Sequence, residues 1–325
     1  MLSRSIARHR LMAELVGFLP LIIFLALLTY VGVNAPNFMT LFNLKLVLMQ
    51  SLPVVLLVTG LSAVVMAGGD DVVSGGIDLS IPATAVLCAG ITAVLLASGL
   101  SLLAASLAAL AAALAAGAVN AVLITRLRMT PLLTTLAMFV ALVGINNMVT
   151  SRRRINLTDG HIGLLREDFV FGIPLGIVIV AFVVLVAYHL LHRTRWGLNL
   201  QAAGGSRDAA EISGLKVDRL VAQSYLLAAF MGFLTGFFVL ARGNGYSPGV
   251  ENNLMLEMVL ANFLGAAFSP RRVVTMWGAV LGAVLVAAIS IGLKTIGVNV
   301  FWTDLVKGAL ILVVVALSAI SQRVQ

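Results

Sequence analysis

Charge is what this chain has least of. Only 10% of its 325 residues are Asp, Glu, Lys or Arg, where a soluble domain carries about 25%. Mean hydropathy is +1.09. These values exclude a soluble globular protein. Cysteine is almost absent too. Cys88 is the single thiol and lies inside an apolar run, so no intrachain disulfide can form and the redox compartment goes unmarked. Four histidines (His9, His161, His189, His192) sit in loops or at the ends of apolar runs, none spaced i, i+4 with a partner on an embedded face. HExxH, CxxC and GxSxG do not occur. The four lysines (Lys45, Lys216, Lys294, Lys307) all lie outside a GxxxxGK[ST] context, so the chain has no phosphate-cradling P-loop. A membrane-embedded enzyme would need a paired acid–base constellation, and none is visible.

What the chain has instead is length without charge. Runs of 18 or more apolar residues recur, each long enough to cross about 30 Å of hydrocarbon as a helix. A membrane β-barrel would alternate apolar and polar residues in segments of about ten. The expected class is therefore all-α and polytopic. About ten spans are expected, at 12–33, 46–67, 77–98, 100–124, 131–150, 173–191, 220–241, 254–268, 273–296 and 302–320. Some are broken or short: Pro53 interrupts the second, a Gly/Asp-rich link follows it, and the eighth closes at Ser269-Pro270. The first apolar stretch follows Arg4, Arg8 and Arg10. It is too long for a signal-peptide core and reads as a retained span.

The net charge of +8 could suggest nucleic acid as a partner. The basic residues instead stand at the ends of apolar runs, where they set topology, and no nucleic acid is expected. With both termini cytoplasmic, the inside segments hold Arg4, Arg8, Arg10, Arg126, Arg128, Arg193, Arg195, Arg207, Lys216, Arg219, Arg271, Arg272 and Arg323. That is thirteen of the 21 basic residues. Arg152-Arg153-Arg154 dissents, falling outside. Residues 1–325 read as one transmembrane domain with a long outside loop, 151–172, and a longer inside loop, 192–219.

The inside loop carries a local signal. Ala203-Gly204-Gly205 permits a sharp turn, Ser206 is placed to cap, and Asp208 puts negative charge in a first turn. Two helical turns then run to Ser213, and Gly214 stops them where left-handed geometry is wanted. Such a helix is either a rigid cytoplasmic knob or an ordinary surface helix. A second signal is Asp78, the one charge between Val72 and Ser98. A charge at the bilayer centre costs about 2.5–3.5 kcal/mol or more. Gly75-Gly76 allow a backbone break, which would place Asp78 in the first turn of a new helix beginning near Ile77. Asp78 is then a wall of the translocation path or a cap of its own broken helix. Ser80, Asn120, Asn146, Asn147 and Asn262 join Gly75, Gly76 and Asp78 as candidates for the path or its gate, with interhelical hydrogen bonding as the competing role of each asparagine. Glu257 and Asp304 lie near span ends, where solvation is expected. The outside loop 242–253 (RGNGYSPGVENN) has the composition of an exposed turn.

Three stretches carry a resemblance: GGIDLS at 75–80, AAGGSRDAAEISGL at 202–215 and VFWTDLVKGALILV at 300–313. In that order and spacing the chain resembles the permease subunits of bacterial ABC importers for sugars, the ribose/xylose/arabinose/galactose group related to branched-chain amino-acid permeases. The resemblance implies a ten-span inner-membrane subunit that pairs with a second copy or a paralogue. Cytoplasmic ATP-binding subunits and an extracytoplasmic solute-binding protein complete the importer. No cofactor is expected on this chain, with ATP and Mg on the partner subunits. Gly204, Gly205, Ser206, Asp208, Ala209, Ala210, Glu211 and Gly214 then resemble the coupling helix that sits in a groove of the ATPase. Asn244, Tyr246 and Glu251 become candidates for docking the binding protein. Two departures stand out: Ile81-Pro82 follows GGIDLS where the family has Val-Gly, and residues 263–272 lack the family's glycine-rich pattern. The implied function is ATP-driven import of a monosaccharide, a pentose or related sugar. Import of branched-chain amino acids or another small solute is the alternative within the class. A proton-coupled transporter using Asp78, Glu257 or Asp304 is the alternative outside it.

Overall fold

The computed structural model describes residues 21–35, 38–69, 76–157, 160–268 and 274–324. The helices in chain order are α1 (Leu21–Asn34), then α2 (Leu41–Gly68), α3 (Ile81–Ala97), α4 (Leu102–Thr125), α5 (Pro131–Thr150), α6 (Gly160–Gly163), α7 (Leu175–Arg193), α8 (Arg195–Gly205), α9 (Arg207–Ile212), α10 (Val217–Gly243), α11 (Val250–Ala267), α12 (Met276–Thr295) and α13 (Val300–Val324). Each of the ten apolar regions read from the sequence holds a helix, and among the described residues six helices are long and apolar enough to cross a membrane. The chain is an all-α, multi-pass membrane protein.

Local sequence explains most boundaries. Pro82 and Pro131 stand in the first turns of α3 and α5, where a missing N–H costs nothing. The side chains of Ser101, Thr194, Ser206 and Thr275 accept from backbone N–H groups three residues on, at the starts of α4, α8, α9 and α12. Pro53 lies inside α2 without ending it. Ser51, Thr59 and Ser62 in the same helix donate to the carbonyls of Leu48, Val55 and Val58, as hydroxyls do when no water is at hand.

Contacts divide the chain into two compact units, Leu52–Met255 and Met1–Ser51 with Leu256–Gln325. In the first, α10 packs on α3 and α4, and α3 also packs on α5. The packing is inside-out by the standards of soluble proteins. On α4, Ala105, Ala109 and Ala113 are fully buried, while Leu103 and Leu107 are 70% and 58% exposed. Lipid is as apolar as leucine, so helices associate by close approach of small residues rather than by burying large ones. Gly232 and Gly236 repeat this on α10, facing Ile81 to Ala89 of α3 so tightly that a Cβ would press on that helix's backbone. Cys88 is buried against α4, its thiol directed at the carbonyl of Ala109.

The same unit carries short strands: β1 (Ile155–Asn156), β2 (Asp168–Val170), β3 (Ile173–Pro174) and β4 (Gly245–Tyr246). Antiparallel pairing sets Ile155 opposite Tyr246, which ties loop 151–172 to the link between α10 and α11. Strands β2 and β3 close the long loop on itself.

In the second unit, α11 and α12 cross at small residues. Gly265 lies against Gly278 and Ala279, and Gly282 lies against Ala261. Gly292 of α12 takes the side chain of Val31 on α1.

Candidate functional site

Ahead of α3, Gly76 lies back against the end of α2. A Cβ there would collide with the carbonyl oxygen of Val64 and sit 3.0 Å from Gly68 Cα, so only glycine fits. Helix α3 begins at Ile81, not near Ile77 as the sequence suggested. Asp78 therefore precedes the helix instead of occupying its first turn. Its side chain is 2% exposed. Asp78 Oδ1 accepts from Ser80 N at 2.8 Å and from Ser80 Oγ at 2.6 Å. Asn120 Nδ2 on α4 donates to Ser80 Oγ at 2.8 Å, making a buried relay from amide to hydroxyl to carboxylate. The segment before α3 is pinned from both sides. Leu79 N donates to Thr135 Oγ1 on α5 at 3.1 Å, and Tyr225 Oη on α10 donates to the carbonyl of Ile77 at 3.3 Å. Asp78 thus closes a turn on Ser80, the residue before α3, instead of taking the N–H groups of the helix's own first turn. Ser80's own side chain makes no capping bond to α3.

The other path candidates do not gather here. Gly75 lies outside the described residues. Asn146 is buried on α5, where its Nδ2 donates to Tyr246 Oη at 2.8 Å, and Thr150 Oγ1 donates to the same oxygen at 3.3 Å. Asn147 is half-buried and takes no part in either cluster. Asn262 is buried on α11, with its carbonyl oxygen unpartnered. Among the described residues of the first unit, the amide oxygens of Asn120 and Asn146 and Glu251 Oε2 are likewise buried without a partner.

A cavity of about 430 Å³ opens beside the segment before α3. Its wall runs from Gly76 and Tyr225 past Val64 and Gly204 to Arg128 and Arg207. At that end stands α9. Ser206 is extended (φ −158°, ψ 108°) and its hydroxyl accepts from Ala209 N at 3.3 Å. Gly214 has φ +85°, the left-handed stop expected of it. The turn itself was misplaced in the sequence reading. Gly204 and Gly205 are the last residues of helix α8, and the direction changes at the extended Ser206. Gly204 is small for another reason: a Cβ would strike the carbonyl of Met66 at the end of α2. Gly205 has open space around it. Ala210 is buried and anchors α9, whereas Asp208, Ala209 and Glu211 are exposed and Ile212 is 87% exposed.

Charge around α9 is organised. Arg207 pairs with Glu211 at 3.1 Å along the helix and with Asp218 on α10. Asp218 also takes Arg128, from the link between α4 and α5, at 2.8 and 3.1 Å through its two oxygens.

At the link between α10 and α11 the candidate docking residues separate. Asn244 is exposed and left-handed (φ 52°, ψ 37°) at the end of α10. Tyr246 is fully buried and Glu251 is 3% exposed, so neither side chain presents itself at the surface. Arg154, one of the three arginines that dissented from the topology, binds the two loops together. It donates to Asn156 Oδ1 at 2.8 Å, Ser247 Oγ at 2.8 Å and the Gly243 carbonyl at 2.9 Å.

Sequence reading missed Tyr225, Thr135 and Asp218, whose partners are distant in the chain. It also misjudged Glu257, expected to be solvated. Lys307 Nζ on α13 donates to Glu257 Oε1 on α11 at 2.7 Å, with Asp304 at 3.8 Å. The signal was available: Lys307 is a cation inside an apolar run, three residues after a carboxylate. Among the described residues no group of three His, Cys, Asp or Glu is placed to hold a metal ion.

Residues 43–315 match the family described as branched-chain amino acid transport system, permease component. Among curated relatives, ribose import permease protein RbsC of Escherichia coli is 29% identical over 299 residues, 91% of each chain. The Bacillus subtilis protein of that name is 29% identical over 308 residues, 94% of this chain and 92% of its own. Galactose/methyl galactoside import permease protein MglC of Salmonella typhimurium is 26% identical over 318 residues, 92% of this chain and 93% of its own.

Proposed function

We propose that this chain, which belongs to the branched-chain amino acid transport system permease family, is the membrane subunit of an ABC importer for a monosaccharide. It is a multi-pass protein of the bacterial inner membrane. The relatives named as permeases for ribose and galactose share more than nine-tenths of its length, which supports a sugar as cargo. A pentose or related sugar is the first candidate. Residues 1–325 act as one permease domain with ten spans and both termini in the cytoplasm. Two copies, or this chain and a paralogue, enclose the path.

The observation that carries the reading is α9, a capped, rigid helix of six residues whose outer face is exposed while Ala210 anchors it. Without a P-loop the chain draws its energy from ATP and Mg on cytoplasmic partner subunits, and α9 is the surface they move. Closure of the ATPase subunits on ATP shifts α9, and the cavity between permease copies changes the side it faces. The joined outer loops, with Asn244 exposed, face the solute-binding protein. Carriage of protons finds little support: Glu257 and Asp304 lie against Lys307, and Asp78 is occupied by Ser80.

The test is reconstitution in liposomes with the ATPase and binding protein of the same operon, and uptake of labelled ribose, galactose and fructose. Uptake that needs ATP hydrolysis, stops with vanadate and survives a protonophore is the expected result. Uptake abolished by the protonophore while ATP persists overturns it.

A further inference from the structure

The importer reading gives α9 a task but leaves unused the hollow behind it and the ion cluster at its rim. Close-packed interiors transmit displacement because every atom touches its neighbours. Between Arg207 and Gly76 that contact is interrupted by the 430 Å³ cavity. A push on α9 has to travel around the rim.

The rim offers one polar route. Arg207, the first residue of α9, pairs with Asp218 in the first turn of α10. Asp218 is held from the other side by Arg128 through two parallel hydrogen bonds of 2.8 and 3.1 Å. Isolated exposed ion pairs contribute little, but a carboxylate shared by two guanidiniums with a bidentate arm is a network of defined geometry. Seven residues after Asp218, two helical turns along the same face of α10, stands Tyr225. Its hydroxyl donates to the carbonyl of Ile77, next to Asp78 in the segment before α3. The alternating contacts thus run from α9 through Asp218 and the rigid rod of α10 to the break between α2 and α3.

We infer that Asp218 is a positioning residue for coupling: it hands the motion of α9 to α10, and α10 hands it through Tyr225 to the Gly76–Ser80 segment. The inference rests on the importer reading, with α9 as the part moved by ATP. Asp218 touches neither substrate nor nucleotide. Its removal leaves the ATPase cycle running without moving the gate.

The experiment compares wild type, Asp218→Asn, Asp218→Glu and Arg128→Gln in the reconstituted full importer. Three quantities are read: co-purification with the ATPase subunit, ATP hydrolysis, and labelled ribose, galactose or fructose taken up per ATP. For Asp218→Asn the expected outcome is normal assembly, hydrolysis within about twofold of wild type, and uptake per ATP reduced tenfold or more. Asp218→Glu restores uptake per ATP to within about threefold, and Arg128→Gln shows an intermediate loss. Unchanged uptake per ATP in Asp218→Asn overturns the inference. So does a parallel loss of assembly, hydrolysis and uptake in both Asp218→Asn and Arg128→Gln, which would mark a purely structural role. Failure of the importer reading is told apart because it shows in the wild type, as uptake independent of ATP hydrolysis.

Discussion

Lys307 donates to Glu257 across 2.7 Å between α13 and α11, with 8% and 14% of the two side chains exposed. Two opposite charges so little exposed depend on each other. Removing Lys307 leaves the Glu257 carboxylate uncompensated beside that of Asp304 and costs about 3–5 kcal/mol, while removing Glu257 leaves Lys307 only the more distant Asp304 at 3.8 Å. Lys307→Met and Glu257→Gln are each expected to lower the melting temperature of the detergent-purified chain sharply. The exchanged pair, Glu257→Lys with Lys307→Glu, should melt above a single charge reversal at either position. Single variants that melt with the wild type would mean that water reaches the pair.

The glycines flanking α9 differ in what they tolerate. Gly214 sits at φ +85°, and a branched side chain in that region costs about 1–2 kcal/mol. Gly205 is helical and faces open space. Gly214→Val is expected to insert in the membrane and lose most of its uptake per ATP, whereas Gly205→Ala transports normally. Equal behaviour of the two variants would remove geometry as the reason for Gly214.

Asp78 is expected to serve through its acceptor atoms, not through a proton. Asp78→Asn keeps an oxygen for Ser80 N and Ser80 Oγ, so the loss is on the order of 1 kcal/mol and transport continues at a reduced rate. Asp78→Ala strands both donors in a buried site, at about 1–3 kcal/mol each, and assembly suffers. ATP-driven uptake by proteoliposomes carrying each variant is the measurement. An Asn variant that assembles with its ATPase and moves no sugar would show that the charge itself is needed.

Accessibility divides the outer loop. A membrane-impermeant maleimide should label Asn244→Cys on whole cells and leave Tyr246→Cys unlabelled, since Tyr246 is fully buried. Tyr246→Phe removes the acceptor of Asn146 Nδ2 and destabilises the chain by about 1–3 kcal/mol. Rapid labelling at position 246 would return that residue to the docking surface.

Membrane class, the ten helical regions and the caps of α9 were legible in the sequence by itself. Each depends on residues contiguous in the chain: apolar length decides partition into lipid, and Ser206 and Gly214 act within one helical turn. The pairings were not legible. Asn120 meets Ser80 across 40 residues, Asn146 meets Tyr246 across 100, and Tyr225 meets Ile77 across 148. Asn146 and Asn147 are adjacent and alike in sequence, yet one is buried in a polar cluster and the other is half-exposed. Glycine was read as a residue of turns and breaks, and the tertiary structure also uses it, with alanine, as a contact point between helices. Which polar group finds which partner was decided by how closely the helix backbones approach, and that distance is set by side chains from different parts of the chain at once.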